Sequence, residues 1–140
     1  MKKKVWFIRI LFWVGAIIDA YAAVQLLVLR YATFSAATSG SISGDAVYAV
    51  GQAAALMLGW TALLVWGSIK PIERRGVLLL TALPALAALA VNTIQGIAAG
   101  FFTPEGKLAA LIVQGVFLPV MVIAYCISAK ARKTNQAAAS

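Results

Sequence analysis

Val77–Phe102 reads VLLLTALPALAALAVNTIQGIAAGFF, a run without a single Asp, Glu, Lys or Arg. A helix needs about 20 apolar residues to cross the hydrocarbon layer of a bilayer, and this run exceeds that length. A surface helix of a soluble protein would carry a charged face, and this stretch has none. The segment therefore predicts a transmembrane helix, and the rest of the chain can be read outward from it.

Toward the N-terminus the run is preceded by Lys70–Gly76 (KPIERRG), a short basic turn broken by Pro71. Before the turn lies a second apolar stretch, Ala46–Ile69. Ahead of that, Tyr31–Asp45 (YATFSAATSGSISGD) is small, polar and rich in Gly and Ser, which predicts a loop, with Asp45 or Ser43 as cap of the following helix. The first apolar stretch, Ile10–Leu29, is interrupted by Asp19 and Gln25. Toward the C-terminus, Thr103–Lys107 (TPEGK) predicts a tight loop with Thr103 as N-cap, Pro104 at the first helical position and Glu105 in the first turn. Leu108–Ala129 is the fourth stretch. None of these segments alternates as barrel strands do. The expected fold is an all-α integral membrane protein, an antiparallel four-transmembrane-helix bundle occupying residues 1–133. Its spans fall at about 10–29, 46–69, 77–102 and 108–129, and residues 134–140 form a frayed tail.

Composition agrees. Of 140 residues, 63% are hydrophobic and 11% charged, where a soluble domain carries about 25% charged. Too few charges remain to cover a water-facing surface, so a soluble enzyme is excluded. The net charge of +8 does not mark a nucleic-acid binder, because it sorts by side of the membrane. Lys2, Lys3, Lys4, Arg9, Lys70, Arg74, Arg75, Lys130, Arg132 and Lys133 fall on one side; Arg30 and Lys107 fall on the other. Ten basic residues against two places both termini in the cytoplasm. The pattern fits a multi-pass protein of a prokaryotic cytoplasmic membrane. Its basic clusters stand at the level of lipid headgroups. Trp6, Trp66 and Tyr125 fall near the inner interface, and Tyr31, Tyr48, Phe101 and Phe102 near the outer one. The basic N-terminus and the Ala20-Tyr21-Ala22 triplet imitate a signal peptide. The apolar run continues through Leu29, however, and Asp19 breaks its core, so it is read as a span.

Small residues every four positions mark faces on which membrane helices approach closely. The second span offers Gly51, Ala55, Gly59 and, skipping Leu63, Gly67; the third Ala88, Asn92, Gly96 and Gly100; the first Gly15, Asp19 and Ala23; the fourth Gly115 and Pro119. Packing within one bundle is the favoured use. A dimer through Gly96 and Gly100, or a place in a larger membrane complex, is the alternative. Pro84 and Pro119 each remove a backbone hydrogen bond inside a span and predict kinks.

Polar residues within the spans are the candidate site. At 1.5 Å per residue, Asp19 falls at about the midplane and Asn92 about 4 Å outward of it. Gln25, Gln52, Gln95 and Gln114, one from each span, sit about 7–8 Å outward. Four amides at one depth can satisfy one another as structural glue, or line a vestibule with Asp19 at its floor. Asp19 lacks a cation in reach, since Arg9 and Arg30 are about 15–16 Å away along the helix. Three states would satisfy it: protonation, hydration with a hydrogen bond such as one to Asn92, or pairing with a cationic ligand or partner subunit.

The chemistry open to such a set is narrow. The chain has no His and only Cys126, so His-ligated metal or haem and disulfide redox chemistry are not expected. No Lys lies mid-span to form a Schiff base, and no second acid shares the depth of Asp19 for acid–base catalysis. The expectation is a non-catalytic membrane protein without cofactor or metal. It would bind a lipid or small amphiphile through the polar layer, or serve as accessory subunit of a membrane complex. The alternative is a small proton- or cation-coupled transporter with Asp19 as the coupling acid. In size, span number and an acid in the first helix the chain resembles the small multidrug exporters in architecture. No motif is shared, and the acid is Asp rather than Glu. The one-sided charge also argues against antiparallel dual insertion.

Overall fold

A computed structural model describes the backbone of residues 2–137 and the side chains of residues 5–130. The side chains of Lys2, Lys3, Lys4, Arg132 and Lys133, which contribute to the charge count, lie outside the described set, as do residues 138–140 of the tail. The described residues are helical, with no strand among them. Helix α1 runs Lys2–Thr38, α2 Gly44–Ile69, α3 Gly76–Leu80, α4 Ala87–Ala98 and α5 Pro104–Ala137. A π-helical turn, Thr81–Leu86, joins α3 to α4. Four stretches are long and apolar enough to cross a membrane: Val5–Thr38, Gly44–Ile69, Gly76–Ala98 and Pro104–Lys130. By length and composition, such a helix set suggests a multi-pass membrane protein.

The helix ends follow local chemistry. The expected loop from Tyr31 is corrected, because α1 continues to Thr38. Ala32, Ala36 and Ala37 favour helix, and the hydroxyls that suggested a loop bond backward instead. Thr33 Oγ1 donates to Arg30 O at 2.9 Å, Thr38 Oγ1 to Ser35 O at 2.7 Å and Ser39 Oγ to Ala36 O at 2.8 Å. The helix stops at Gly40, whose φ is +76°. Gly40 N–H reaches Ala37 O and Ser41 N–H reaches Ala36 O, both at 3.0 Å, the paired bonds of a Schellman cap. Gly100 ends α4 in the same way, with φ +76° and bonds from Gly100 N–H to Ile97 O and Phe101 N–H to Gly96 O. The third helical span thus ends at Ala98, and Phe101 and Phe102 lie in the turn beyond it. At the start of α5, Thr103 caps as expected: Gly106 N–H donates to its Oγ1 at 3.3 Å. That helix runs past the expected span end at Ala129 and past residue 134, to Ala137.

Pro84 explains the π turn. Proline has no N–H, and its ring clashes with the carbonyl four residues back. One extra residue in the turn absorbs both defects, and Ala87 N–H reaches back five residues to Ala82 O. Pro119, by contrast, sits inside α5 with helical structure on both sides.

The chain divides into two compact units: Arg9–Ile69, and Lys70 onward together with the first turns of α1 through Ile8. The first unit is a helical hairpin. Its cross-helix contacts pair Arg9 with Ser68, Phe12 with Gly67, Asp19 with Thr61 and Arg30 with Gly51, so numbers rise along α1 as they fall along α2. That register is antiparallel. In the second unit, α3, the π turn and α4 all lie along α5. Arg75 beside Tyr125 and Thr93 beside Gln114 show that pair to be antiparallel too.

Small residues share the buried positions with Ile8, Phe12, Leu64, Leu78 and Met121. Gly15, Ala16, Ala23, Ala54, Gly67, Ala82, Gly96 and Ala124 are buried, whereas Ile17 is 63% and Leu56 72% exposed. A water-soluble helix pair buries its large residues and exposes its polar ones. The many large apolar side chains left exposed along the spans suit helices that approach in part through small residues and face lipid with the rest.

The expected glycine faces are only partly realised. Gly15 and Ala23 of α1 are buried as expected. In α2, a Cβ on Gly67 would stand 2.6 Å from the Phe12 ring and one on Gly51 3.1 Å from Arg30 Nε, but nothing lies within 4 Å of one on Gly59. The reason is helical pitch: residues four apart advance about 40° around the helix, so a stripe of fours winds off any straight contact face. The buried face of α2 follows Ala54, Leu64 and Ser68 instead. Gly96 and Gly100 are used locally, Gly96 under the Phe102 ring and Gly100 as the left-handed cap.

Candidate functional site

Asp19 lies on the α2-facing side of α1, between the buried Ala16 and Ala23. It comes closest to a hydrogen bond at Thr61 of α2, whose Oγ1 is 3.4 Å from Asp19 Oδ2. Thr61 owns one proton. The same Oγ1 stands 2.9 Å from Met57 O, a normal bond length, while 3.4 Å is beyond the usual range for O–H···O. The Met57 carbonyl therefore takes the proton, and the hydroxyl serves Asp19 only weakly. No cation pairs with Asp19 among the described residues. The hairpin brings a part-buried carboxyl and a hydroxyl together and leaves the carboxyl with bonding capacity to spare.

Thr61 is a residue that composition did not single out. In an antiparallel hairpin closed at residues 39–43, the residue of α2 at the depth of Asp19 must lie near position 61. The register was the available signal.

The other polar candidates behave differently. Gln25 Nε2 donates to Tyr21 OH at 2.8 Å and Gln52 Nε2 to Tyr48 OH at 2.8 Å, each one turn back on its own helix. Both glutamines are exposed, and each is satisfied by its tyrosine rather than by another amide. In the second unit, Gln114 Nε2 donates to Thr93 Oγ1 at 3.4 Å, while Thr93 Oγ1 donates to Leu89 O at 2.8 Å. Gln114 Oε1 is buried without a donor among the described residues. Asn92 and Gln95 lie exposed on α4. Asp19 and Asn92 belong to different units, and the side-chain partner seen for Asp19 is Thr61, not Asn92.

At the far end of the hairpin, Arg9 Nε donates to Ser68 O at 3.1 Å and Nη2 to Ile69 O at 3.4 Å. These carbonyls end α2 and have no partner within it, and a guanidinium there also opposes the negative end of the helix dipole. Arg9 is thus a clasp on the C-terminal end of α2. No group of three or more metal-ligating side chains occurs among the described residues.

Comparison with protein-family models, with curated proteins and with solved structures gives no significant match. The functional reading rests on the site's own chemistry.

Proposed function

We propose that this chain is a non-catalytic multi-pass membrane protein, inserted with both termini in the cytoplasm, whose helices bind a small cationic amphiphile or lipid at Asp19. It acts alone, as an oligomer, or as the binding subunit of a larger membrane complex. One observation carries the reading: a carboxyl within a membrane span meets only a distant hydroxyl already committed to Met57 O. An intramembrane acid is costly and calls for a partner. With no cation supplied by the described residues, a ligand that brings positive charge on an apolar body is the complementary chemistry. The non-catalytic reading is supported by the lone acid within the spans and the lack of any His in the chain.

The same carboxyl favours a second reading, a proton- or cation-coupled transporter in which Asp19 exchanges proton for substrate. One variant separates the two. In the reconstituted protein, Asp19→Asn is expected to weaken binding of tetraphenylphosphonium, a probe lipophilic cation, by about tenfold or more while leaving the helical circular dichroism unchanged. Wild-type affinity in Asp19→Asn overturns both readings. If a proton flux driven by the probe appears in wild-type liposomes and disappears in the variant, the transporter reading stands. If binding is lost and neither protein shows flux, the binding reading stands.

A further inference from the structure

Arg75 closes the basic turn Lys70–Gly76 and stands just before the third span, Gly76–Ala98. Its guanidinium lies over the ring of Tyr125, 5.8 Å from the centroid, near the end of the fourth span. A cation held over a ring uses its face, and the N–H groups, which lie in the plane, remain to be satisfied. Arg75 Nη1 is buried and meets no acceptor among the described residues. The nearest acid in sequence does not serve it, because Glu73 Oε2 pairs with Lys70 Nζ at 3.2 Å. Ser128, one turn beyond Tyr125, is buried and its hydroxyl is spent on Tyr125 O at 2.8 Å. A guanidinium is thus held in place on an aromatic ring, with one donor nitrogen, Nη1, out of water and without a protein acceptor.

We propose that Arg75, held over Tyr125, is the receptor for the phosphate of an anionic lipid headgroup. The fork of a guanidinium matches two oxygens of one phosphate, a fit that an ammonium cannot reproduce. Both residues stand at the same end of an antiparallel helix pair, where span gives way to a basic turn, and that is the depth of headgroups. A phosphate bridging Nη1 and Nη2 supplies the acceptor the protein lacks. The inference rests on the membrane reading but not on the role given to Asp19.

The test is a titration of the purified, delipidated full-length chain in non-ionic detergent with phosphatidylglycerol, followed by native mass spectrometry. Arg75→Gln is expected to bind about tenfold more weakly than wild type. Lys130→Gln makes the same charge change at the same end of the pair and is expected to bind as wild type. Undiminished binding in Arg75→Gln, or an equal loss in both variants, overturns the site. Should Arg75→Gln fail to fold, Arg75→Lys keeps the charge and loses the fork; it is expected to bind more weakly than wild type, and wild-type binding by it overturns the proposal. Inorganic phosphate at millimolar concentration is expected not to displace the lipid, and displacement would overturn the headgroup as the source of the phosphate. Resistance of the vesicle-reconstituted chain to alkaline carbonate extraction is measured separately. A chain that is extracted refutes the membrane reading itself, whereas one that resists while Arg75→Gln binds normally refutes only this inference.

Discussion

Two glycines show how far neighbours decide what a residue is for. A Cβ on Gly67 would stand 2.6 Å from the Phe12 ring, and Phe12 is wholly buried, so the ring has nowhere to go. A Cβ on Gly96 would meet the Phe102 ring at 2.7 Å, but Phe102 is 44% exposed and can turn aside. Gly67→Ala is therefore expected to cost about 1–3 kcal/mol, the usual penalty for overpacking a filled core. Gly96→Ala is expected to be nearly neutral, within about 0.5 kcal/mol, because the displaced group is at the surface. Thermal unfolding in detergent measures both, and equal costs at the two positions would refute the argument. Nothing in the sequence distinguishes these glycines, since each lies in a small-residue stripe. Asp19, by contrast, stood out at once, because a charge within a long apolar run is conspicuous in any arrangement.

At the scale of the element, the helices end where backbone geometry requires and not where hydropathy falls. Helix α1 spans 37 residues because the threonine hydroxyls after Arg30 are satisfied by carbonyls one turn back and leave the helix unbroken. It ends at Gly40 because only a left-handed residue closes the Schellman pair. Gly40→Ala and Gly100→Ala are each expected to lose about 1 kcal/mol for the left-handed φ alone, since no atom lies within 4 Å of either added Cβ. Gly59 is equally open but lies mid-helix, so Gly59→Ala is expected to gain about 0.5–1 kcal/mol from helix propensity. The three variants have the same steric freedom and opposite signs, which chemical or thermal unfolding resolves. The Thr103–Pro104 start of α5 was legible because a cap is a local code. The π turn at Pro84 was legible as a defect, but not as a π turn, because its repair depends on the whole surrounding helix.

For the whole molecule, the exposure of large apolar side chains along all four spans is the structural counterpart of the composition. It supports insertion, and the charge count supports the orientation. In a Cys126→Ser background, Ser41→Cys lies in the turn between α1 and α2. In intact cells it is expected to react with a membrane-impermeant maleimide from the outer side; labelling only after the cells are opened would invert the topology.

Four apolar stretches, the one-sided charge and the isolated acid were determined by the sequence alone, because length, hydropathy and charge are properties of a segment whatever it packs against. The partner of Asp19 and the burial of Gly67 but not Gly59 were decided by the tertiary structure. Each depends on the rotation of one helix about its axis relative to another. That rotation is set by packing, and a drift of about 40° per stripe step is enough to turn an expected contact face away from its partner.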